Sequence, residues 1–460
     1  MQNFITNNSQ ANALDRELAQ NYIIDYPYIN KALLMLFCGY VVVWYLQIGY
    51  RIPALGAVRF EFIYASILTV IALLFTPRID KNNPLFKYIL LYIIVILVQL
   101  PFSYDFNKSW DVFVDRIIKF AFLAFFIVSF VRSPTHLKWF LAAFLFACLK
   151  MGQEGFIGRI TGNMIWENQG VMRLNGSTPL YAHPNSFSGM ALGTLPFAYY
   201  LWPVSSKYIK VILLIIAVLS LNIIIYTGSR TGYIGFVAFM VFIATVSNNK
   251  KKVIIIISTM LAVSTPFVPT DYKERFSSIF TGKDKEGGST EARKQIIEDA
   301  WLIFKEHPFG IGISAFPKVR GEKFGRSQDT HNLYLEILTN LGIQGFIVVT
   351  LLFIKMIKML TELRLKINDC LNKMNNNKID RFGGVVSDLN FMYAVTTATL
   401  GYLIIRLVLG LFGMDLYEIY WWFISGVTWV LYVIVGKIER EVIIINDVNE
   451  SVEKTIYEKV

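Results

Sequence analysis

The sequence predicts an all-α polytopic membrane protein, with about twelve transmembrane helices and one large outer loop that holds short helices of its own. Three observations carry that prediction. Of the 460 residues, 55% are hydrophobic and 17% charged, against roughly 25% charged in soluble domains, and mean hydropathy is +0.48. The apolar residues come in blocks of about twenty, enough to cross a ~30 Å hydrocarbon core as helix. Basic residues crowd every second loop between these blocks. A soluble enzyme, a disordered chain and a disulfide scaffold are excluded.

The spans are expected near 32–50, 58–76, 86–102, 115–131, 138–153, 186–203, 208–226, 232–247, 253–268, 333–358, 388–410 and 416–436. Tryptophan and tyrosine at many ends, such as Trp44, Trp139, Tyr200, Trp202, Trp421 and Trp422, suit an interfacial belt. The basic loops hold Arg78, Lys81 and Lys87; Arg132 and Lys138; Lys207 and Lys210; and Lys250 to Lys252. They continue with Lys355, Lys358, Arg364, Lys366, Lys373, Lys378 and Arg381, and end with Lys437 and Arg440. The positive-inside rule places this set, and with it both termini, in the cytoplasm.

The expected organisation is a cytoplasmic segment 1–31, nine spans within 32–268 and an outer loop 269–331. Three spans follow within 332–436, with a cytoplasmic loop 359–387, and a tail 437–460 ends the chain. Residues 1–30 are polar, with Asp15, Glu17 and Asp25, so no cleavable signal is expected. Three cysteines are too few for a disulfide framework. The net charge of +11 belongs to membrane topology, so no nucleic-acid partner is expected.

Chemistry-bearing residues gather on the outer side. Tyr226-Thr-Gly-Ser-Arg-Thr-Gly-Tyr233 reads as a turn between spans seven and eight. Arg230 then stands at the outer boundary, as an interfacial anchor or as a planar anion-binding cation. A helix is expected from Thr290 to Glu306, ended by Pro308, with an apolar stripe of Ile296, Ile297, Ala300, Trp301 and Phe304. Arg293 falls on that face and needs a partner, either a carboxylate or a substrate phosphate. Lys294, Glu298 and Lys305 point toward solvent. Pro308-Phe-Gly-Ile-Gly-Ile-Ser-Ala-Phe316 reads as a turn folding the loop back onto the membrane. Asp329 or Thr330 can cap the next span, which puts His331 in its first turn as a general base or a plain capping residue.

Segment 153–185 adds Arg159, Arg173, His183 and Asn185. Arg116, Lys119 and Arg406 oppose the positive-inside trend, and intramembrane cations are functional candidates by default. Asp111 and Asp115 are available to neutralise Arg116 and Lys119. The four histidines show no metal-binding spacing, and no P-loop or dinucleotide motif is present.

The Ser-Arg-Thr-Gly turn, the Glu-Ala-Arg helix with its Trp, Pro-Phe-Gly-Ile-Gly and His-Asn-Leu-Tyr-Leu-Glu-Ile-Leu-Thr-Asn-Leu-Gly-Ile-Gln-Gly occur in that order. The ordered set, over roughly residues 170–360, resembles the bacterial O-antigen ligase and polymerase superfamily of membrane glycosyltransferases. The resemblance implies a lipid-linked-sugar (GT-C type) architecture, with neither cofactor nor metal. It implies transfer from an undecaprenyl-pyrophosphate-linked glycan to an acceptor glycan or lipid on the outer face. Arg230, Arg293 and His331 match the residues regarded as essential in the family. Arg406, Arg116, Lys119, Arg173, His183, Asn185, Asn332 and Tyr334 are the expected substrate-binding helpers. Polymerase is the favoured reaction and ligase the alternative, with a lipid-linked glycan flippase as a competing class. Membrane lipids are expected partners, and a chain-length regulator is left open.

Overall fold

The computed structural model of the chain describes residue 24 and residues 26–168, 170–247, 249–264, 269–281, 289–376, 383–413 and 416–457. Most of the expected N-terminal segment lies outside these residues, as do parts of the loops 269–331 and 359–387 and the end of the tail.

Each of the twelve predicted apolar segments falls on a helix. In chain order these are α1 (Lys31–Leu46), α2 (Phe60–Phe75), α3 (Phe86–Gln99), α4 (Lys119–Phe130), α5 (Pro134–Thr161), α6 (Pro184–Leu201), α7 (Lys207–Tyr226), α8 (Arg230–Val246) and α9 (Lys250–Ser264). The outer loop contributes α10 (Thr270–Thr281), α11 (Ser289–Glu306) and α12 (Phe316–Phe324). The chain closes with α13 (Leu333–Asn376), α14 (Gly383–Leu409) and α15 (Ile419–Tyr457). Five of these, α5, α7, α13, α14 and α15, are long and apolar enough to cross a membrane, and α1, α2, α3 and α8 are shorter apolar helices. Among the described residues the all-α expectation meets one exception: β1 (Ile165–Asn168) and β2 (Val171–Leu174) pair as an antiparallel hairpin in segment 153–185.

Aromatic packing builds the core. Phe37 of α1 stacks on Phe130 and Phe140, and Phe423 of α15 meets Phe144 and Phe197 at 4.7 and 5.9 Å between ring centroids. Such offset and edge contacts add stabilisation beyond the area they bury. They tie α1, α4, α5, α6 and α15 into one bundle.

The span expected at 333–358 differs in two ways. First, it is broken at Gly342, which has φ 69° and ψ −171°. A break strands carbonyls that a helix otherwise satisfies internally, and they need other partners when buried. The Pro308–Phe316 segment supplies them. The amides of Ile311 and Gly312 donate to the carbonyls of Thr339 and Asn340, both at 3.0 Å, and Ile343 N donates to Pro308 O at 2.9 Å. Gln99 of α3 and Gln344 both donate to Phe309 O. The predicted turn is present at Pro308–Phe309, with a second at Ile313–Ser314, and the segment is a plug seated in the break.

Second, α13 runs on to Asn376 where a loop from 359 was expected. Leu360, Leu363, Ile367, Cys370 and Met374 are all buried, at the alternating three- and four-residue spacing of a coiled-coil seam. Their partner is α15, where Leu431, Val435, Ile438 and Val442 are buried at the same spacing. Phe353 meets Trp421 and Lys366 pairs with Glu439 at 2.9 Å, so the two helices run parallel.

The plug requires glycine. Gly310 has φ 93°, and an added Cβ would lie 2.7 Å from Asn340 O and Gly342 N. Gly310→Ala is expected to lower thermal stability in detergent by at least ~2 kcal/mol, from left-handed strain and backbone overlap together. Gly321→Ala, whose methyl first meets Ser327 at 3.5 Å inside α12, is the control expected to hold or slightly raise the melting temperature, because alanine is the better helix former.

Candidate active site

Two constructions meet at the end of the bundle where α13 begins. The first is the turn between α7 and α8. Gly228 has φ 55°, which lets the chain reverse without a Cβ penalty. Ser229 caps α8 by accepting from Gly232 N at 3.0 Å, so Arg230 is the first residue of α8 and is half-buried. One oxygen locks the turn in place. Asn185 Oδ1 accepts from Ser229 Oγ at 2.8 Å and from Arg173 Nη2 at 3.0 Å. Arg173 Nε donates to Thr227 O at 2.8 Å. His183 caps α6, its Nδ1 accepting from Asn185 N at 3.2 Å.

The second construction is the outer loop. On α11 the buried residues are Ile296, Asp299, Ala300 and Ile303. The expected stripe thus shifts: Ile297 and Trp301 are exposed, at 50% and 47%. Arg293 stays on the buried face, half-buried, with its guanidinium 6.0 Å from the Phe412 ring. Asp299 is the anchor that the sequence reading missed. It accepts from Arg320 Nε at 2.8 Å and from Arg326 Nη2 at 3.0 Å. Arg320, almost fully buried, also holds the carbonyl and side chain of Gln328 at 3.2 Å. The ion triad therefore ties α11 and α12 to the strand that leads into His331.

His331 lies just before α13 and not in its first turn. Asn332 is the cap, its Oδ1 accepting from Tyr334 N and Leu335 N at 3.0 and 3.1 Å. Holding Asn332 there leaves His331 at φ 46°, a left-handed backbone that is unusual for a non-glycine residue. Tyr334 Oη donates to Leu407 O at 2.8 Å, and Asn332 Nδ2 donates to Leu411 O at 3.2 Å. Both side chains therefore serve to clamp α13 to the end of α14.

The electrostatics join the two constructions. Burial lowers the His331 pKa from its ordinary value, against the pull of Asp329, and the cations Arg293 and Arg320 lower it further. Burial likewise lowers His183, helped by Arg173 and by His331 itself. The two histidines thus sense each other, and Arg293 senses His331. Burial raises Asp329, opposed by its bonds to Thr330 and by the positive fields of His331 and Arg116.

The remaining predicted cations are placed differently. Arg116 pairs with Glu418 at 2.6 Å, not with Asp111 or Asp115, and it faces the Asp329 side of the cluster. Lys119 pairs with Asp115 at 2.5 Å on an exposed face. Arg406 is buried beneath the site. It donates to Gly189 O at 2.8 Å and lies 3.6 Å over the Tyr420 ring, joining α6, α14 and α15.

Tyr272 of α10 was not anticipated either. Its hydroxyl donates to Met172 O at 2.8 Å, its ring meets Tyr226 at 5.3 Å, and it covers Gly228. Arg159 lies 4.1 Å over the ring of Tyr226, the other partner of this edge-to-face pair. Among the described residues no three His, Cys, Asp or Glu side chains are placed to hold a metal ion.

What the arrangement offers chemically is an imidazole whose pKa is lowered beside Arg293 and Arg320, at the end of the bundle that also holds the turn carrying Arg230. Residues 215–350 match the family model described as O-antigen ligase. The match bears out the O-antigen ligase and polymerase superfamily. It covers less than a third of the chain, from the middle of α7 to the middle of α13, and it contains Arg230, Arg293, His331 and the Gly342 break. No curated protein matches the chain. The matched segment supports a function of O-antigen ligase or polymerase type.

The triad gives a direct test of how the loop supports His331. Asp299→Ala leaves Arg320 buried without its counter-charge, which typically costs about 3–5 kcal/mol. The expected result is a lower melting temperature and a His331 whose protonation, followed by NMR, moves away from the wild-type value. Lys323→Ala removes a partly exposed pair with Glu306 and is expected to change stability by less than ~1 kcal/mol.

Proposed function

We propose that the protein is a membrane glycosyltransferase that polymerises O-antigen or related surface polysaccharide repeats. The donor is an undecaprenyl-pyrophosphate-linked glycan and the acceptor is the end sugar of a second one. In this reading all twelve apolar helices cross the inner membrane in a GT-C type arrangement. Both termini are cytoplasmic, and the candidate site faces the periplasm or outside. The observation that carries the reading is the gathering of Arg293, His331, His183 and the Arg230 turn at one end of the bundle, within or beside the matched segment.

The chemistry follows from the charges. An acceptor hydroxyl attacks the anomeric carbon while the bond from that carbon to the diphosphate oxygen breaks. The electron pair leaves with undecaprenyl diphosphate, and the hydroxyl proton passes to His331. Arg230 and Arg293 stabilise the departing anion, where fixed positive charge is most effective because it needs no reorganisation. His331 is suited to accept the proton because burial and Arg293 lower its pKa from the ordinary value, which favours the unprotonated form. Arg116 lies at the rim of this charge, while Arg173, Asn185 and Arg406 act through the elements they hold. The lipid tail lies along an apolar groove between helices.

A second reading is supported by the description of the matching family, which names a ligase. Purified protein given one kind of lipid-linked repeat separates the two. Lengthening chains support polymerisation, whereas growth only on an added lipid A-core or protein acceptor supports ligation. A flippase is less well supported. Transporters use broken helices to expose backbone groups to cargo, whereas the carbonyls of Thr339 and Asn340 at the Gly342 break are occupied by the plug.

Arg230→Ala, Arg293→Ala and His331→Ala are each expected to insert normally and to reduce transfer by about 10²-fold or more. Full activity in all three would overturn the site. The pH profile adds an independent check. Transfer requires unprotonated His331, so the acid limb should lie below the ordinary histidine value of about 6.5 and activity should fall as pH drops through it. In Arg293→Ala one repelling cation is gone, and the limb of the residual activity should move to higher pH.

A further inference from the structure

At the opposite end of α13 from His331, one cation is held in a way that sets it apart. Lys138 pairs with Asp388, Lys366 with Glu439, Lys373 with Asp369 and Lys358 with Glu362. Arg364, in the middle of this group, makes no ion pair among the described residues. Its Nε donates to Thr397 Oγ1 at 3.0 Å and its Nη2 to the Tyr393 hydroxyl at 3.2 Å. The guanidinium lies 5.5 Å over the Tyr393 ring, and Tyr200 at the end of α6 is within electrostatic range of both. Three helices, α6, α13 and α14, thus supply one half-buried cation surrounded by hydroxyls.

Hydroxyl partners differ from carboxylates in what they leave over. Thr397 passes its own proton to Tyr393 O, but the Tyr393 and Tyr200 protons have no acceptor among the described residues. Neither do the two Nη1 protons of Arg364 or the second proton of Nη2. What this cluster leaves over is donors only, beside a positive charge with no carboxylate partner among the described residues. Its complement is a compact anion with several acceptor oxygens, and guanidinium with hydroxyl donors suits a phosphate oxygen group. Position selects the source. Arg364 lies about 33 Å along the helix from Gly342 at 1.5 Å per residue, about half a turn before the Lys366–Glu439 pair and among the basic residues of the cytoplasmic boundary. Basic pockets between spans on that side recognise anionic lipid headgroups.

We propose that Arg364, Tyr393, Thr397 and Tyr200 form a binding site for the phosphodiester headgroup of one anionic phospholipid in the cytoplasmic leaflet. The site is separate from the candidate active site, and only the naming of the leaflet rests on the orientation proposed above.

The test uses the full chain in phosphatidylcholine nanodiscs doped with phosphatidylglycerol, with retained lipid counted by native mass spectrometry after partial delipidation. Wild type should keep one phosphatidylglycerol in preference to phosphatidylcholine. Arg364→Gln should weaken that retention about tenfold or more, and Tyr393→Phe by a smaller factor of about three. Lys366→Gln, which removes a neighbouring paired cation, should retain the lipid as wild type does. Arg364→Lys, which keeps the charge without the fork, should fall between wild type and Arg364→Gln and guards against a folding artefact. Equal retention in wild type and Arg364→Gln overturns the site. Equal loss in Lys366→Gln reduces it to surface attraction and overturns it too. Displacement by millimolar inorganic phosphate overturns the assignment to a lipid. Glycan transfer is not read at any step, so the result stands apart from the proposed reaction.

Discussion

A helix that stops bonding to itself inside a membrane protein must hand its carbonyls to something else, and most of this architecture follows from how that is done at Gly342. The acceptors left by the break are Thr339 O and Asn340 O, and the donors are backbone amides of the plug. Backbone–backbone bonding leaves little choice of register. It fixes the plug, and the plug fixes the two helices on either side of it in sequence, α11 and α12. From there the Asp299 triad fixes the strand to His331. The position of the imidazole is thus the end of a chain of constraints that starts about 14 Å down α13 from its first residue.

The left-handed backbone of His331 belongs to the same chain. Asn332 must cap α13, the segment from Gln328 must reach the triad, and His331, the last of the three residues between Gln328 and the cap, takes the left-handed conformation. Strain of this sort persists where surrounding contacts over-determine it, and it collects at functional sites. A glycine would relieve it but would carry no proton-accepting group.

The helical segments were legible because apolar blocks of that length have few other uses, and the α11 boundaries were legible from Pro308. Arg293 was placed on the correct face by helical spacing alone. The face itself was misread, since Ile297 and Trp301 looked like core while Asp299 was given no place on it. An acid three residues after Ile296 and four before Ile303 was the available signal, and its meaning depended on two arginines more than twenty residues away. The coiled extension of α13 was hidden because its basic residues read as loop, although Leu360 to Met374 kept the seam spacing throughout. Arg173, Asn332, Tyr334 and Arg406 were singled out for their chemistry. In the fold their polar groups reach backbone or Asn185, which a single sequence does not distinguish from reaching a ligand.

The parallel seam between α13 and α15 has a mechanical side. The two helices are fastened near one end, where Leu416 N donates to Glu336 Oε2 at 3.0 Å, and again thirty residues along α13 at Lys366–Glu439. Two rods pinned at both ends cannot slide past one another, so any difference in their lengths has to be absorbed between the pins. Gly342 is the only bend in α13 between those points. A mismatch between the pins would therefore be taken up at that joint, directly against the segment that carries the loop.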